Sequence, residues 1–140
     1  IFDWLIDKSS RYWEIKSQSL SSHVQLFIPQ RSVKRTKELL RMSVTQVRVL
    51  VAFLTGHARV LKHLKYMKLS STDVCRICGW EEETAEHILC YCGGLEVRRR
   101  RYFGSLDGKM NPTELFGYTL HNIYDFLKGI EIVKEEYNLG

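Results

Sequence analysis

The 140-residue sequence has no apolar run long enough to cross a membrane and no targeting segment. It also has no internal repeat and no low-complexity tract. Cysteine is scarce: the chain contains 4 cysteines, and all of them lie between residues 75 and 92. We therefore expect no membrane partner, and we expect an intracellular protein located in the nucleus, the cytoplasm or both.

Convergent carboxylates are also missing. Ribonuclease H and polymerase chemistry requires acids that together hold two divalent ions. The acids of this chain are either scattered or gathered in the run 81–83, which we interpret as a solvated face of a loop. We assign no catalytic residue, and the sequence predicts that this chain is not itself an enzyme.

One group of metal-ligand residues is present, in the run CRICGWEEETAEHILCYC. Its members follow the spacing C-x2-C-x8-H-x4-C and are Cys75, Cys78, His87 and Cys92. Zinc prefers four tetrahedral sulfur and nitrogen ligands, and a site with all four positions filled has no place for a catalytic water. The spacing therefore predicts one structural Zn²⁺. Disulfides in a secreted chain are the alternative, but a histidine within the cluster and the absence of a signal peptide argue against them.

The fourth ligand has a competitor in Cys90. Cys90 lies three residues after His87, a spacing that a regular helix tolerates, whereas Cys92 lies five residues after it. We favour Cys92, and we expect a helix that is capped by Thr84 and loosens between residues 90 and 92. Trp80, beside the predicted site, either covers the sulfurs or stacks on a base, and we favour the cover.

The predicted fold class is all-α, a small domain stabilised by one zinc. Ser43 and Gln46 form a capping box that starts a helix ending at Gly56, and a second, basic helix should span about 58–68. The segment 24–28 fits a short strand or extended piece. We expect one domain, 1–140, made of an N-terminal packing segment (1–30), basic helices (31–68), a zinc block (75–92) and C-terminal helices (95–140).

The net charge of +5 is unevenly distributed. Residues 31–68 contain ten Lys or Arg and a single acid, Glu38, whereas residues 69–92 contain five acids and only one basic residue. A second basic block follows the predicted zinc site. Two basic stretches that flank a structural zinc are the electrostatic footprint expected for a nucleic-acid backbone. The candidate phosphate contacts are Lys62, Lys65, Lys68, Arg98, Arg99, Arg100 and Arg101.

Several motifs together carry a family resemblance: LTGH at 54–57, then HLKYMKL, CRICG, EEETAEHILC and the arginine run. This succession resembles the C-terminal, CCHC zinc-knuckle-like region of insect jockey-like non-LTR retrotransposon polyproteins. DWLIDKSSRYWE, VQLFIPQ and TLHNIYDFLKGI extend the resemblance over nearly the whole chain. Many relatives have a proline after the last ligand, where this chain has Gly93 and Gly94.

The resemblance implies a piece, or a domesticated remnant, of a polyprotein whose reverse transcriptase and ribonuclease H lie upstream. It implies a role in handling element RNA or target DNA. Our leading hypothesis is a non-catalytic module that binds RNA or DNA phosphates. The alternative is a protein-interaction or bracing module for the upstream domains or a host partner, with an exposed apolar patch at Tyr118, Tyr124 and Phe126.

Overall fold

The structure is a computed structural model that describes residues 2–140, apart from the side chains at positions 2, 6 and 17. In this range the chain is all-helical, as the sequence predicts, and β structure is limited to one isolated bridge between Val74 and Glu82. The α-helices, in chain order, are α1 (Phe2–Ser17), α2 (Ser22–Phe27), α3 (Val33–Arg41), α4 (Val44–Thr55), α5 (Leu61–Tyr66), α6 (Glu96–Phe103), α7 (Pro112–Phe116), α8 (Leu120–Lys128) and α9 (Glu131–Tyr137). A π-helix at His87–Tyr91 and a 3₁₀ turn at Gly93–Leu95 lie between α5 and α6.

The start and the end of helix α4 match the sequence prediction. The Ser43 hydroxyl accepts from the Gln46 backbone N–H, and the Gln46 side chain accepts from the Ser43 N–H, which completes the capping box. Gly56 ends the helix with a φ of 80°, a left-handed conformation that favours glycine. Helix α4 packs against α2 and α8, while α6 and α9 also pack on α8.

One N-terminal expectation is wrong. The segment 24–28 is not extended, because most of it belongs to α2, where the Ser21 hydroxyl accepts from the Val24 N–H and Phe27 is buried against the core. The aromatic residues of α1 differ in exposure. Trp4 and Tyr12 are exposed, whereas Trp13 is half-buried.

The basic helix is shorter than the sequence predicts. Helix α5 begins at Leu61 because the Glu83 side chain accepts from the Leu61 N–H, 3.0 Å away, and so supplies a cap that Val60 cannot provide. Lys68 lies beyond the helix and has a φ of 61°. It therefore does not continue the row of Lys62 and Lys65 on one helical face.

The predicted C-terminal apolar patch is also wrong. Phe126 is fully buried and Tyr124 nearly so, because both belong to the inward face of α8. The Tyr118 hydroxyl is turned inward and donates to the Phe103 carbonyl.

Among residues 2–140, no helix combines the length and the apolar character needed to cross a bilayer.

Candidate metal centre

A short hairpin-like loop presents the first two cysteines. The Cys75 N–H donates to the Glu81 carbonyl, and the Glu83 N–H donates to the Asp73 carbonyl, each at 2.7 Å. Between these bonds the chain turns at Gly79, whose φ of 73° is left-handed and whose N–H donates to the Cys75 carbonyl. The turn brings the side chains of Cys75 and Cys78 to the same side of the loop.

The π-helix presents the other two candidate ligands. Thr84 caps this segment as predicted, since its hydroxyl accepts from the His87 N–H at 2.9 Å. The Cys92 N–H donates to the His87 carbonyl at 2.7 Å, a five-residue spacing that widens the turn. This local widening is the expected loosening, and it brings Cys92 to the side chain of His87, which a regular α-helix does not do for residues five apart.

The four predicted ligands lie together. The thiol sulfurs of Cys75 and Cys92 are 3.9 Å apart, and the sulfur of Cys78 is 3.4 Å from Nε2 of His87. All four ligand atoms lie within 4.8 Å of one another. Zinc–sulfur bonds of about 2.3 Å in a tetrahedron place two sulfurs roughly 3.8 Å apart, so this set of donors fits a four-coordinate metal.

Cys90 is not part of this group. It is fully buried in the hydrophobic core, and this burial raises the pKa of its thiol to about 12. A thiol that is held protonated in an apolar environment is neither a nucleophile nor a metal ligand. The residues that are brought together are therefore those predicted, with Cys92 in the fourth position.

The three cysteines of the site differ in how easily they ionise. Burial is the largest influence on each of them. At Cys78 the N–H groups of Glu81 and Trp80, together with the side chains of His87 and Cys75, outweigh burial and lower the pKa to about 6. Burial raises the pKa of Cys75, and burial together with the neighbouring Cys75 raises that of Cys92 to about 12. A metal would displace protons mainly from Cys75 and Cys92.

His87 uses Nε2 toward the cluster, which leaves Nδ1 for an outer contact. A carboxylate oxygen of Glu81 lies 3.3 Å from Nδ1. Nδ1 is buried and makes no hydrogen bond, so this carboxylate is near the position of an outer partner of a metal-bound histidine but is not aligned as one. Trp80 is 88% exposed and does not cover the sulfurs, so the interpretation of this residue as a lid is wrong.

Glu83 is fully buried, which contradicts the prediction of a solvated acidic run. Its carboxylate accepts from the N–H groups of Leu61 and Arg76, and it forms an ion pair with the Arg76 guanidinium at 2.6 Å. The same guanidinium reaches Glu136 of α9 at 3.1 Å. Glu83 thus joins the metal-binding loop to the start of α5, and Arg76 joins it to α9.

Arg99 is the largest fully buried side chain of the described residues. Its guanidinium donates to five backbone carbonyls, those of His87, Ile88, Leu89, Cys92 and Gly108. Three of these carbonyls belong to the π-helix, and two belong to candidate metal ligands. Arg99 therefore cannot contact a phosphate, and the prediction that it does is wrong.

Arg98 is also used within the fold. It donates to the carbonyls of Phe126 and Asp125 near the end of α8, and its guanidinium lies over the Tyr102 ring. Carbonyls in the last turn of a helix lack intrahelical partners, and a cation there is favourable. Of the four consecutive arginines only Arg100 and Arg101 are exposed, and Arg100 has Glu96 4.0 Å away.

The predicted lysine row faces the acidic loop. Lys62 forms an ion pair with Glu82 at 2.8 Å, and Lys65 forms one with Asp73 at 3.3 Å. Both pairs are solvent-exposed, so each is weak, but together they offset the positive potential of α5. Lys68 is exposed outside the helix.

A second basic face on α3 was not among the predicted contacts. Lys34, Lys37 and Arg41 are spaced i, i+3 and i+7, which places them on one side of the helix, and all three are exposed. None of them forms an ion pair with another described residue. The sequence signal was available in the ten cations of 31–68, but counting charges did not show which of them lack an acidic partner.

Comparison with known proteins gives no match to a family model, a curated protein or a solved structure. The resemblance to jockey-like polyproteins therefore rests on the sequence motifs.

The two neighbouring cysteines provide a matched test of the ligand set. We expect Cys92→Ala to lose the bound metal and Cys90→Ala to retain it, because only the sulfur of Cys92 lies in the cluster. Metal content per chain, measured on the purified variants, decides between them. Metal loss in Cys90→Ala with retention in Cys92→Ala would contradict the assignment.

We expect Arg99→Met to lower the free energy of unfolding by at least about 3 kcal/mol, because it leaves several buried carbonyls without donors. Arg101→Met, an exposed neighbour, should change it by no more than about 0.5 kcal/mol. Urea unfolding followed by circular dichroism measures both. If Arg99→Met is too unstable to purify, Arg99→Lys, which keeps the charge but has fewer donors, should be intermediate.

Proposed function

We propose that this chain is a zinc-stabilised, non-catalytic module that binds RNA or DNA through phosphate contacts. Zinc is the metal that we assign to the site, because three thiolates and one imidazole are donors typical of structural zinc. All four positions are filled by protein side chains, which fits a structural role. The bound metal would hold the loop 73–83 and the π-helix in place. It would not contact nucleic acid, and it would affect binding only because it stabilises the fold.

The observation that carries the binding proposal is the basic face of α3, formed by Lys34, Lys37 and Arg41. Phosphate contacts need cations that are exposed and not already neutralised. The single acid of α3, Glu38, forms no ion pair with these three cations. Its carboxylate accepts instead from the Leu120 N–H at the start of α8. Arg31, just before the helix, and Arg48 on α4 are also exposed.

The seven phosphate contacts predicted from the sequence divide into three groups. Arg98 and Arg99 are excluded by their bonds to backbone carbonyls. Lys62 and Lys65 would have to exchange carboxylates for phosphates, which reduces the gain from each contact. Lys68, Arg100 and Arg101 remain exposed and can add phosphate contacts to those of α3.

The biological setting that we propose follows from the sequence resemblance. The chain would be part of a non-LTR retrotransposon-derived polyprotein, with reverse transcriptase and ribonuclease H supplied upstream. Binding of element RNA or target DNA by this module would then help to position the nucleic acid for those domains.

A second candidate function, contact with the upstream domains or a host protein, is favoured by α1. This helix exposes Trp4, Leu5, Tyr12 and Ile15. Exposed aromatic residues are enriched at protein interfaces. The surface differs from the predicted patch at Tyr118, Tyr124 and Phe126, which is largely buried.

Salt titration of binding to single-stranded RNA, single-stranded DNA and duplex DNA tests the nucleic-acid proposal. We expect the logarithm of affinity to fall linearly with the logarithm of salt concentration. The variant Lys34→Gln with Lys37→Gln should reduce the slope for single strands by about 1.4, because two contacts of about 0.7 each are lost.

The matched control is Lys62→Gln with Lys65→Gln, which removes the same charge from the ion-paired face. It should reduce the slope by less than the α3 variant. A larger effect in the control would show that the α3 surface is wrong. Absence of binding by metal-loaded protein would refute the nucleic-acid proposal and leave the α1 surface as the candidate.

Zinc removal should unfold the metal-binding segment. We expect about one zinc per chain, and chelation should cause loss of helical circular dichroism and a lower thermal midpoint, because binding energy of a structural zinc is folding energy. Acid should have the same effect: Cys75 and Cys92, whose pKa values are raised, bind protons in place of metal as the pH falls. Elemental analysis across a pH series measures the release. Full helicity after complete metal loss would contradict this prediction.

A further inference from the structure

A cavity of about 260 Å³ lies between α3, α4 and the end of α1, far in sequence from the metal ligands. Its walls are mostly apolar and include Leu39, Leu50 and Leu54. Small-molecule sites in proteins are typically apolar cavities with a few polar groups, and this volume is slightly below their usual range, which favours a small ligand. Gln30 and Arg31 line it from exposed positions, so the cavity opens to solvent on that side.

Two hydrogen-bond donors among the residues that line this cavity lack acceptors. Nε1 of Trp13 and Nε of Arg35 are buried and make no hydrogen bond. Most buried donors in proteins are paired, so an unpaired one requires an explanation. The Arg35 guanidinium is not free to turn away, because its NH2 group donates to the carbonyls of Leu115 and Phe116 at 3.3 Å.

The charge of the cavity favours an anion. Its lining contains Arg31 and Arg35 and, among the described residues, no Asp or Glu. Burial lowers the pKa of Arg35, and the charge of Glu38, whose carboxylate accepts from the Leu120 N–H, opposes this effect only in part. An occupant that brings a negative charge would offset this desolvation and would accept from the unpaired donors.

We propose that this cavity binds a small amphiphilic carboxylate. The apolar chain lies against Leu39, Leu50 and Leu54, and the carboxylate accepts from Trp13 Nε1 and Arg35 Nε, with Arg31 at the rim. A purely apolar ligand would leave both donors unpaired, and a strongly polar one would leave the walls unfilled. This site is independent of the basic face of α3, which lies on the other side of that helix.

Isothermal titration calorimetry of the full chain with octanoate, octan-1-ol and octylamine tests the proposal. Octanoate should bind with a stoichiometry near one, and octanol and octylamine should bind roughly tenfold more weakly, which corresponds to the loss of one charge-assisted contact. Equal affinity for octanoate and octanol, or no octanoate binding, would overturn the proposal.

Variants locate the binding within the cavity. Trp13→Phe, which removes only the indole donor, and Arg31→Gln should each weaken octanoate by about three- to tenfold. Lys37→Gln is the matched control, because it removes a cation from the other side of α3 and should leave the octanoate affinity unchanged. Thr36 is exposed and lines the cavity, so Thr36→Trp can place a ring in the cavity without disturbing the core. This variant should abolish octanoate binding while the circular dichroism spectrum stays unchanged. Undiminished binding by Thr36→Trp would place the ligand elsewhere and refute the proposal.

Discussion

The bond network of Arg99 holds together the part of the molecule that carries the metal site. A π-helix followed by a 3₁₀ turn leaves carbonyls that point away from regular partners, and such groups are costly to bury unpaired. A single planar guanidinium has enough donors to satisfy five of them. Without Arg99, the carbonyls of the wide turn that brings Cys92 to His87 would need water molecules as donors, and the core excludes water.

The metal that we propose completes this arrangement electrostatically. Zinc with three thiolates and a neutral imidazole carries one net negative charge. Arg99, which has no ion pair with a carboxylate and is fully buried, brings a positive charge to the backbone of two ligand residues. The buried cation and the anionic metal cluster would then compensate each other, so that neither is stable in the core alone.

Charged side chains serve helix ends throughout the described fold. Glu83 accepts at the start of α5 and Glu38 at the start of α8, where the helix dipole favours an acid. Arg35 donates at the end of α7 and Arg98 donates near the end of α8, where the helix dipole favours a cation. Residues that look like surface charge in the sequence are therefore part of the structural framework.

This use of charged side chains explains which features of the structure could be predicted from the sequence and which could not. The grouping of the four candidate ligands, the Thr84 cap and the Ser43 capping box depend on local spacing, and local spacing predicted all three correctly. The role of Arg99 depends on partners up to 12 residues away, such as His87, and the role of Glu83 depends on a partner 22 residues away, Leu61. A run of four arginines or three glutamates carries no signal that one member is buried.

The same reasoning narrows the search for a nucleic-acid surface. Chain segments of opposite charge, such as 31–68 and 69–92, tend to pack on each other, and here α5 lies against the acidic loop. The charge that remains available is that of Lys34, Lys37 and Arg41 on α3, because these cations form no ion pair with a described residue. A phosphate that binds at Lys34 and Lys37 displaces only water and counterions, whereas one at Lys62 must also displace Glu82. The nucleic-acid binding that we propose should therefore begin on α3, even though α5 is closer in sequence to the candidate metal ligands.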